Sequence, residues 1–391
     1  MITGHPTRAA RPVVPARAGR AVTLAVLLVT ALLPATAAGA SAATPPRTPQ
    51  LPAPASSSTG GSGSHSAASA AASQPARTVS AWLPYWDQEG AYQDALRHAA
   101  QLNTVSPFWY RAVSADRIDG HPGAGERRII DGLHGAGAEV VPTVMETMKD
   151  GALAAILTSP TGRAAHADAL MRTATSRDYD GLDLDYESIA ATGDSTYRAV
   201  RDGFTALATD LCDRLHRLGK KCVVTVFPQT ATTGRIWDYA AIGRVADRMR
   251  IMGYNLHWSF GTPGPISDLA WYDDILTRAT ALVPAGKLEL GIPAYGWNWD
   301  TDGTSATRHV TWKEADALRR AQGAPYTLDP VSGTPHFTYR DGDGHRREVW
   351  YQDARGIAAQ LPVLRRHGVA GTALWALGFE DPELWPVLAR D

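Results

Sequence analysis

Residues 180–187 read DGLDLDYE, and the reading of this octapeptide decides the fold around it. Alternate residues of a β-strand share a face. Asp183, Asp185 and Glu187 therefore point one way, and Leu182, Leu184 and Tyr186 the other. The apolar series suits packing against helices outside a barrel. The acidic series then points inward, near the C-terminal end of the strand, where such barrels keep their active sites. A solvated edge strand would show the same alternation, but this segment is the fourth of eight candidates in a parallel pattern, and parallel strands are seldom exposed. Three converging carboxylates repel one another and burial disfavours charge, so at least one should keep its proton at neutral pH. A protein bears that cost where it uses a protonated acid. Asp180 lies off the acidic face and, with Gly181, shapes the strand entry.

Outward from this strand, short β-rich runs alternate with helical stretches from about Thr78 onward. The strand candidates are 78–86, 102–110, 139–146, 180–187, 222–229, 248–255, 288–296 and 368–377. Eight such units over about 314 residues predict an α/β fold, a (β/α)8 TIM barrel. A small α+β insertion is expected at about 300–349, between strands 7 and 8, with hairpin turns at DPVSG (329–333) and DGDG (341–344). The competing architecture, a doubly wound open sheet, lacks support because no G-x-G-x-x-G or P-loop follows any strand. Residues 1–42 have the form of a signal peptide: Arg8, Arg11, Arg17 and Arg20, then AVTLAVLLVTALL (21–33), then small residues. The apolar run is too short to cross a bilayer. Residues 43–77 are rich in Pro, then in Ser, Gly and Ala, and read as a flexible spacer ahead of a catalytic unit at 78–391. The expectation is a secreted, soluble mature monomer.

The two cysteines, Cys212 and Cys222, would join a helix end to the next strand if bridged; two buried free thiols are the alternative. A formal net charge of −1 gives no reason to expect a nucleic-acid or membrane partner. The 12 histidines are scattered without metal-ligand spacing, so neither metal nor cofactor is expected. Trp and Tyr, at 12 and 13, outnumber the 6 Phe, a bias that suits sugar-binding clefts.

The octapeptide resembles the D-G-x-D-x-D-x-E signature of glycoside hydrolase family 18, the chitinase-like (β/α)8 enzymes. Three further stretches agree with that family: MGYN (252–255) on the sixth strand, LGIPAYGWNW (290–299) on the seventh, and GTALWAL (371–377) on the eighth. Two places depart from its chitinases. The third strand reads VVPTVMET (140–147) in place of Ser-x-Gly-Gly, and Asn255 replaces the sixth-strand Asp. With VSPFWY (105–110), these resemble the spore-cortex-lytic branch and turn the expected substrate away from polymeric chitin.

The resemblance implies a retaining hydrolase of N-acetylhexosamine glycans, either chitooligosaccharides or peptidoglycan-type chains. It casts Glu187 as general acid and base, Asp185 as the partner of the acetamido N–H, and Asp183 as tuning Asp185 through a shared proton. Tyr254 would bond the acetamido oxygen, and Trp375 would lie under the sugar. Asn255, Tyr85, Phe108, Trp109, Gln229, Tyr295 and Trp297, at other strand ends, are candidate subsite residues. Two other functions remain open at this stage: a lectin-like barrel without turnover, and a hydrolase using carboxylates of different strands, such as Glu146 and Glu289.

Overall fold

The computed structural model describes residues 78–369 and 371–389; the signal-peptide and spacer segments expected at 1–77 lie outside the described residues. Eight strand positions succeed one another in chain order. They are β1 (Thr78–Leu83), β2 (Thr104–Pro107, resuming as Tyr110–Ala112), β3 (Glu139–Val140, resuming as Thr143–Glu146), β4 (Gly181–Asp185), β5 (Lys221–Val226), β6 (Arg248–Ile251), β7 (Leu288–Pro293) and β8 (Gly371–Trp375). Each pairs in parallel with its sequence neighbour, and β8 pairs with β1. The strands β2 and β3 pair on both sides of their interruptions, Thr104 with Glu139 and Tyr110 with Val144. The curled sheet is therefore TIM-like. The break in β3 falls at Val141–Pro142, where proline has no N–H to give to a ladder. The sequence reading, which took β2 and β3 as continuous, missed both breaks.

The outer layer follows the alternation read from the octapeptide. Leu182, Leu184 and Tyr186 are buried in the core that the helices share. The helix Tyr197–Arg217 faces them with Val200, Phe204, Leu207, Ala208, Leu211 and Leu215, a stripe at three- and four-residue spacing. Cys212 of that helix is bonded to Cys222 of β5, with the Cα atoms 5.1 Å apart. Asp180 accepts the amide of Val140 at 2.7 Å and bonds His134 at 2.8 Å, bracing the start of β3 from the bottom of the sheet.

A second sheet of five antiparallel strands lies between Tyr295 and Tyr351 in the chain. Its order is Arg308–Thr311, Tyr295–Asp300, Arg346–Tyr351, Pro335–Arg340, Thr327–Leu328, with a helix at Trp312–Ala321. The expected turns at 329–333 and 341–344 do connect its strands. Tyr295 and Trp297 belong to this sheet, not to the tip of β7 as the seventh strand candidate had it. Among the described residues, no helix is long and apolar enough to cross a membrane.

Gly181 shows why the octapeptide needs its glycine. A Cβ there would stand 2.2 Å from the carbonyl oxygen of Lys221 on the neighbouring strand. Since both strands are fixed on their other sides, the clash must be relieved by shifting backbone. Gly181→Ala should lower stability by about 1–3 kcal/mol, read as a reduced urea midpoint with an unchanged slope.

Candidate active site

The barrel interior holds a polar layer to which several strands contribute. Arg250 of β6 lies at its centre, 1% exposed. Its Nε donates to Glu289 Oε2 at 2.7 Å, and its Nη1 donates to Ser106 Oγ at 2.6 Å and to Asp183 Oδ2 at 3.2 Å. Burial works against its charge, but Glu289 and Asp183 outweigh that and hold it ionised. Glu289 also accepts from Ser80 at 2.9 Å, so the acid that the two-carboxylate alternative required is committed to this layer.

Asp183 is fully buried and accepts four hydrogen bonds. Its Oδ2 also accepts from Trp82 Nε1 at 3.1 Å and Thr143 Oγ1 at 2.9 Å, while Oδ1 accepts from Thr225 at 2.8 Å. Three of its four donors bond Oδ2 and one bonds Oδ1, and its charge is among those that raise the proton affinity of Asp185.

Asp185 stands one step nearer the mouth and is 4% exposed. Its Oδ1 is buried with no hydrogen-bond partner among the described residues. Burial pushes this carboxyl well above the usual range; the charges of Glu187, Asp183 and Glu146 add to the effect and Arg250 opposes it. Glu187, just past the end of β4, is pushed up to about 7 by burial and then by the charge of Glu146. Its carboxyl makes no hydrogen bond to a described residue. The two acids interact closely enough to titrate as a pair. The series thus runs from an acid with four donors to one with none, along β4 and the residues just past it.

Tyr254, just past β6, lies close enough to feel the acids. Burial raises its proton affinity first, followed by Tyr295, Asp185, Glu187 and Asp183. The adjacent Asn255 has φ = 63°, the left-handed region that asparagine tolerates better than most residues. Its Oδ1 accepts from the Tyr295 hydroxyl at 2.8 Å and from Trp297 Nε1 at 3.2 Å. Asn255 therefore ties the small sheet to the tip of β6, which explains Tyr295 and Trp297 as well as itself.

At the end of β8, Trp375 is half-buried. Trp82 meets it edge-on with ring centres 5.6 Å apart, Phe108 at 5.2 Å, and Trp86 lies at 6.2 Å. Trp82 thus touches both Asp183 and the Trp375 indole. Tyr85 stacks on His121 at 3.6 Å and meets Trp86 at 5.0 Å, on the same rim. Gln229 is half-buried three residues past β5. Trp109 corrects the sequence reading: it is fully buried in the apolar core against Tyr179, with its Nε1 on Gln88, and has no face left for a sugar.

Sequence reasoning missed Trp82, Arg250, His309 and Phe379. His309, kept neutral by burial, which lowers it to about 4, stacks on Tyr295 and meets Phe379 at 5.6 Å, extending the aromatic rim. The signal for Arg250 was available. An arginine between Met249 and Ile251 in a buried strand must find its counter-charges inside the barrel.

The model for glycosyl hydrolases family 18 matches residues 147–380. A stretch of 247 residues is 27% identical to the uncharacterized glycosylase YvbX of Bacillus subtilis, covering 62% of this chain and 70% of that protein. Over 197 residues the chain is 29% identical to the cortical fragment-lytic enzyme of Bacillus subtilis, covering 48% of this chain and 46% of that protein, so it spans about half the length of that relative. The chitinase of Chromobacterium violaceum ATCC 12472 superposes with a TM-score of 0.72 at 26% identity, over 80% of this chain and 98% of that one.

The raised proton affinity of Glu187 has a sign that can be tested without a substrate. Folding makes its ionisation costlier, so the penalty is absent below its ordinary value of 4.5 and complete above about 7. Glu187→Gln removes the penalty. The variant should be more stable than the wild type at about pH 8, by on the order of 1–3 kcal/mol, and should show little gain at about pH 4. Thermal melts of both proteins across that range check it.

Proposed function

The chain belongs to family 18 of the glycosyl hydrolases, a family of glycosidases with cortex-lytic enzymes among its relatives here, and from that premise we propose that it cleaves β-linked N-acetylhexosamine glycans with retention of configuration, using Glu187 as general acid and base. The observation that carries this reading is the graded acid series on β4. Asp183 is locked as an acceptor, while burial and neighbouring charge favour a proton on the Asp185–Glu187 pair.

In the proposed reaction that proton sits on Glu187 and passes to the glycosidic oxygen as the bond to the anomeric carbon breaks. The sugar's own acetamido oxygen attacks the anomeric carbon from the other face, giving an oxazolinium ion. Asp185, ionised and lacking a protein partner for Oδ1, accepts the acetamido N–H and offsets the developing positive charge. The Tyr254 hydroxyl donates to the acetamido oxygen and aligns it. Trp375 offers its apolar face to the pyranose, backed by Trp82 and Phe108. Water, deprotonated by Glu187, then opens the ion at the anomeric carbon and restores the enzyme. The small sheet, clamped by Asn255, walls one side of the cleft. Relatives named as cortical fragment-lytic enzymes support cortical fragments as the substrate.

A lectin-like barrel needs no proton held at neutral pH beside a fixed anion, and that feature favours turnover. Release of 4-nitrophenol from its N,N′-diacetylchitobioside decides between the two. Wild type should turn over, with activity falling as pH rises through about 7. Asp185→Asn and Glu187→Gln should each lose on the order of a thousandfold in kcat, with native far-UV spectra. Binding without turnover by the wild type on every acetamido glycoside tried would favour the lectin. The expected leader places the protein outside the cell in the same reading. Sequencing the N-terminus of the exported protein should start past Ala40; retention of Met1 would refute export by cleavage.

A further inference from the structure

Glu146 closes β3 and is 9% exposed. Its Oε2 accepts the backbone N–H of Glu187 at 3.2 Å, and its Oε1 accepts that of Ser188 at 2.6 Å. Both amides lie where β4 has ended at Asp185 and the chain turns into the short segment Ser188–Ala191, so no ladder partner takes them. These amides, the Ser188 side chain and the amide of Glu146 itself fix the carboxylate, and the carboxylate in turn fixes the amides of Glu187 and Ser188.

A cap for two amides needs acceptors, not charge. Burying a carboxylate without a cation is costly, and no ion pair to Glu146 is made among the described residues. Burial accordingly raises its own proton affinity, with the bonds from Ser188 and Glu187 opposing. The groups that feel its charge are Glu187, Asp185 and Tyr186. Around Glu187 itself stand Asp185, Tyr254 and Tyr295; the buried cation, Arg250, acts on Asp185.

We propose that Glu146 is a positioning residue for Glu187: through the two amides it pins the backbone that carries the acid, and it sets a like charge beside the acid's carboxyl. The inference rests on the reading of Glu187 as the general acid and assigns the third strand, where this chain departs from the Ser-x-Gly-Gly pattern, a task of its own. Glu146→Gln keeps the side chain's size and one carbonyl acceptor for one of the two amides, and removes the charge. Glu146→Ala removes both.

The experiment follows kcat/KM against pH on 4-nitrophenyl N,N′-diacetylchitobioside for the full chain and both variants. It is run beside a substrate-free carbon-13 NMR titration of the Glu187 carboxyl, assigned by its loss in Glu187→Gln. In Glu146→Gln the descending limb and the NMR midpoint should both move to lower pH by about one unit, with KM little changed. Glu146→Ala should show the same shift and lose a further ten- to hundredfold, roughly, in kcat as the backbone of Glu187 is released. Limbs and midpoints superimposable on the wild type, with activity falling only as the folded fraction falls, would reduce Glu146 to a strand cap and overturn the proposal. If the wild type turns over no acetamido glycoside while the NMR midpoint still moves, the glycosidase reading fails and the positioning stands.

Discussion

The contact on which the site depends is the one Arg250 makes with Asp183 and Glu289 inside the barrel. Two carboxylates in a space closed to water cannot both stay ionised without a counter-charge, and removing one partner from such a group costs about 3–5 kcal/mol. The guanidinium satisfies both acids and also faces the Trp82 ring at 5.3 Å. Ser80, Thr143 and Thr225 complete the layer with hydroxyl donors, and Ser106 with a hydroxyl that accepts from Arg250. Arg250 thereby anchors Asp183, whose charge adds to burial and Glu187 in raising the proton affinity of Asp185, while Glu187 is raised by burial and Glu146.

Hydrogen-bond satisfaction declines from this floor toward the mouth. Asp183 has four donors, Asp185 has an oxygen with none, and the Glu187 carboxyl makes no bond to the described protein. In a structural network such a gradient would be a defect, because buried polar atoms are ordinarily paired. In the proposed reaction, which receives an amide N–H and gives up a proton, the missing partners are supplied by the ligand. The saturated layer provides the rigidity that lets the upper acids stay unsatisfied, in keeping with the general exchange of stability for activity.

Much of this was legible in the sequence because strands carry a two-residue period. Leu182, Leu184 and Tyr186 could be assigned outward and the acids inward from eight letters, and alternation of β and helical runs gave the barrel. The same logic failed at Trp109. A break in β2 after Pro107 resets the alternation there, so a residue counted toward the cleft is turned into the core. Tyr295 and Trp297 were attached to the wrong element because PAYGWNW passes from one sheet into the other with only Ala294 between the two strands. Long-range pairings such as Arg250 with Asp183, or Glu146 with the amides of Glu187 and Ser188, join residues dozens of positions apart. Composition and spacing carry no trace of them beyond the oddity of a charge in an apolar strand.

Trp82 touches Asp183 with its indole N–H and meets the Trp375 indole, the proposed sugar platform, edge-on. The spacing between the Trp375 platform and the acids is therefore set by the width of one aromatic side chain, a rigid gauge, and not by the diameter of the barrel. A chain that kept an indole at this place could vary the loops around the rim and keep the same spacing between the Trp375 ring and the acids. One that lost it would have to rebuild that measure from other parts.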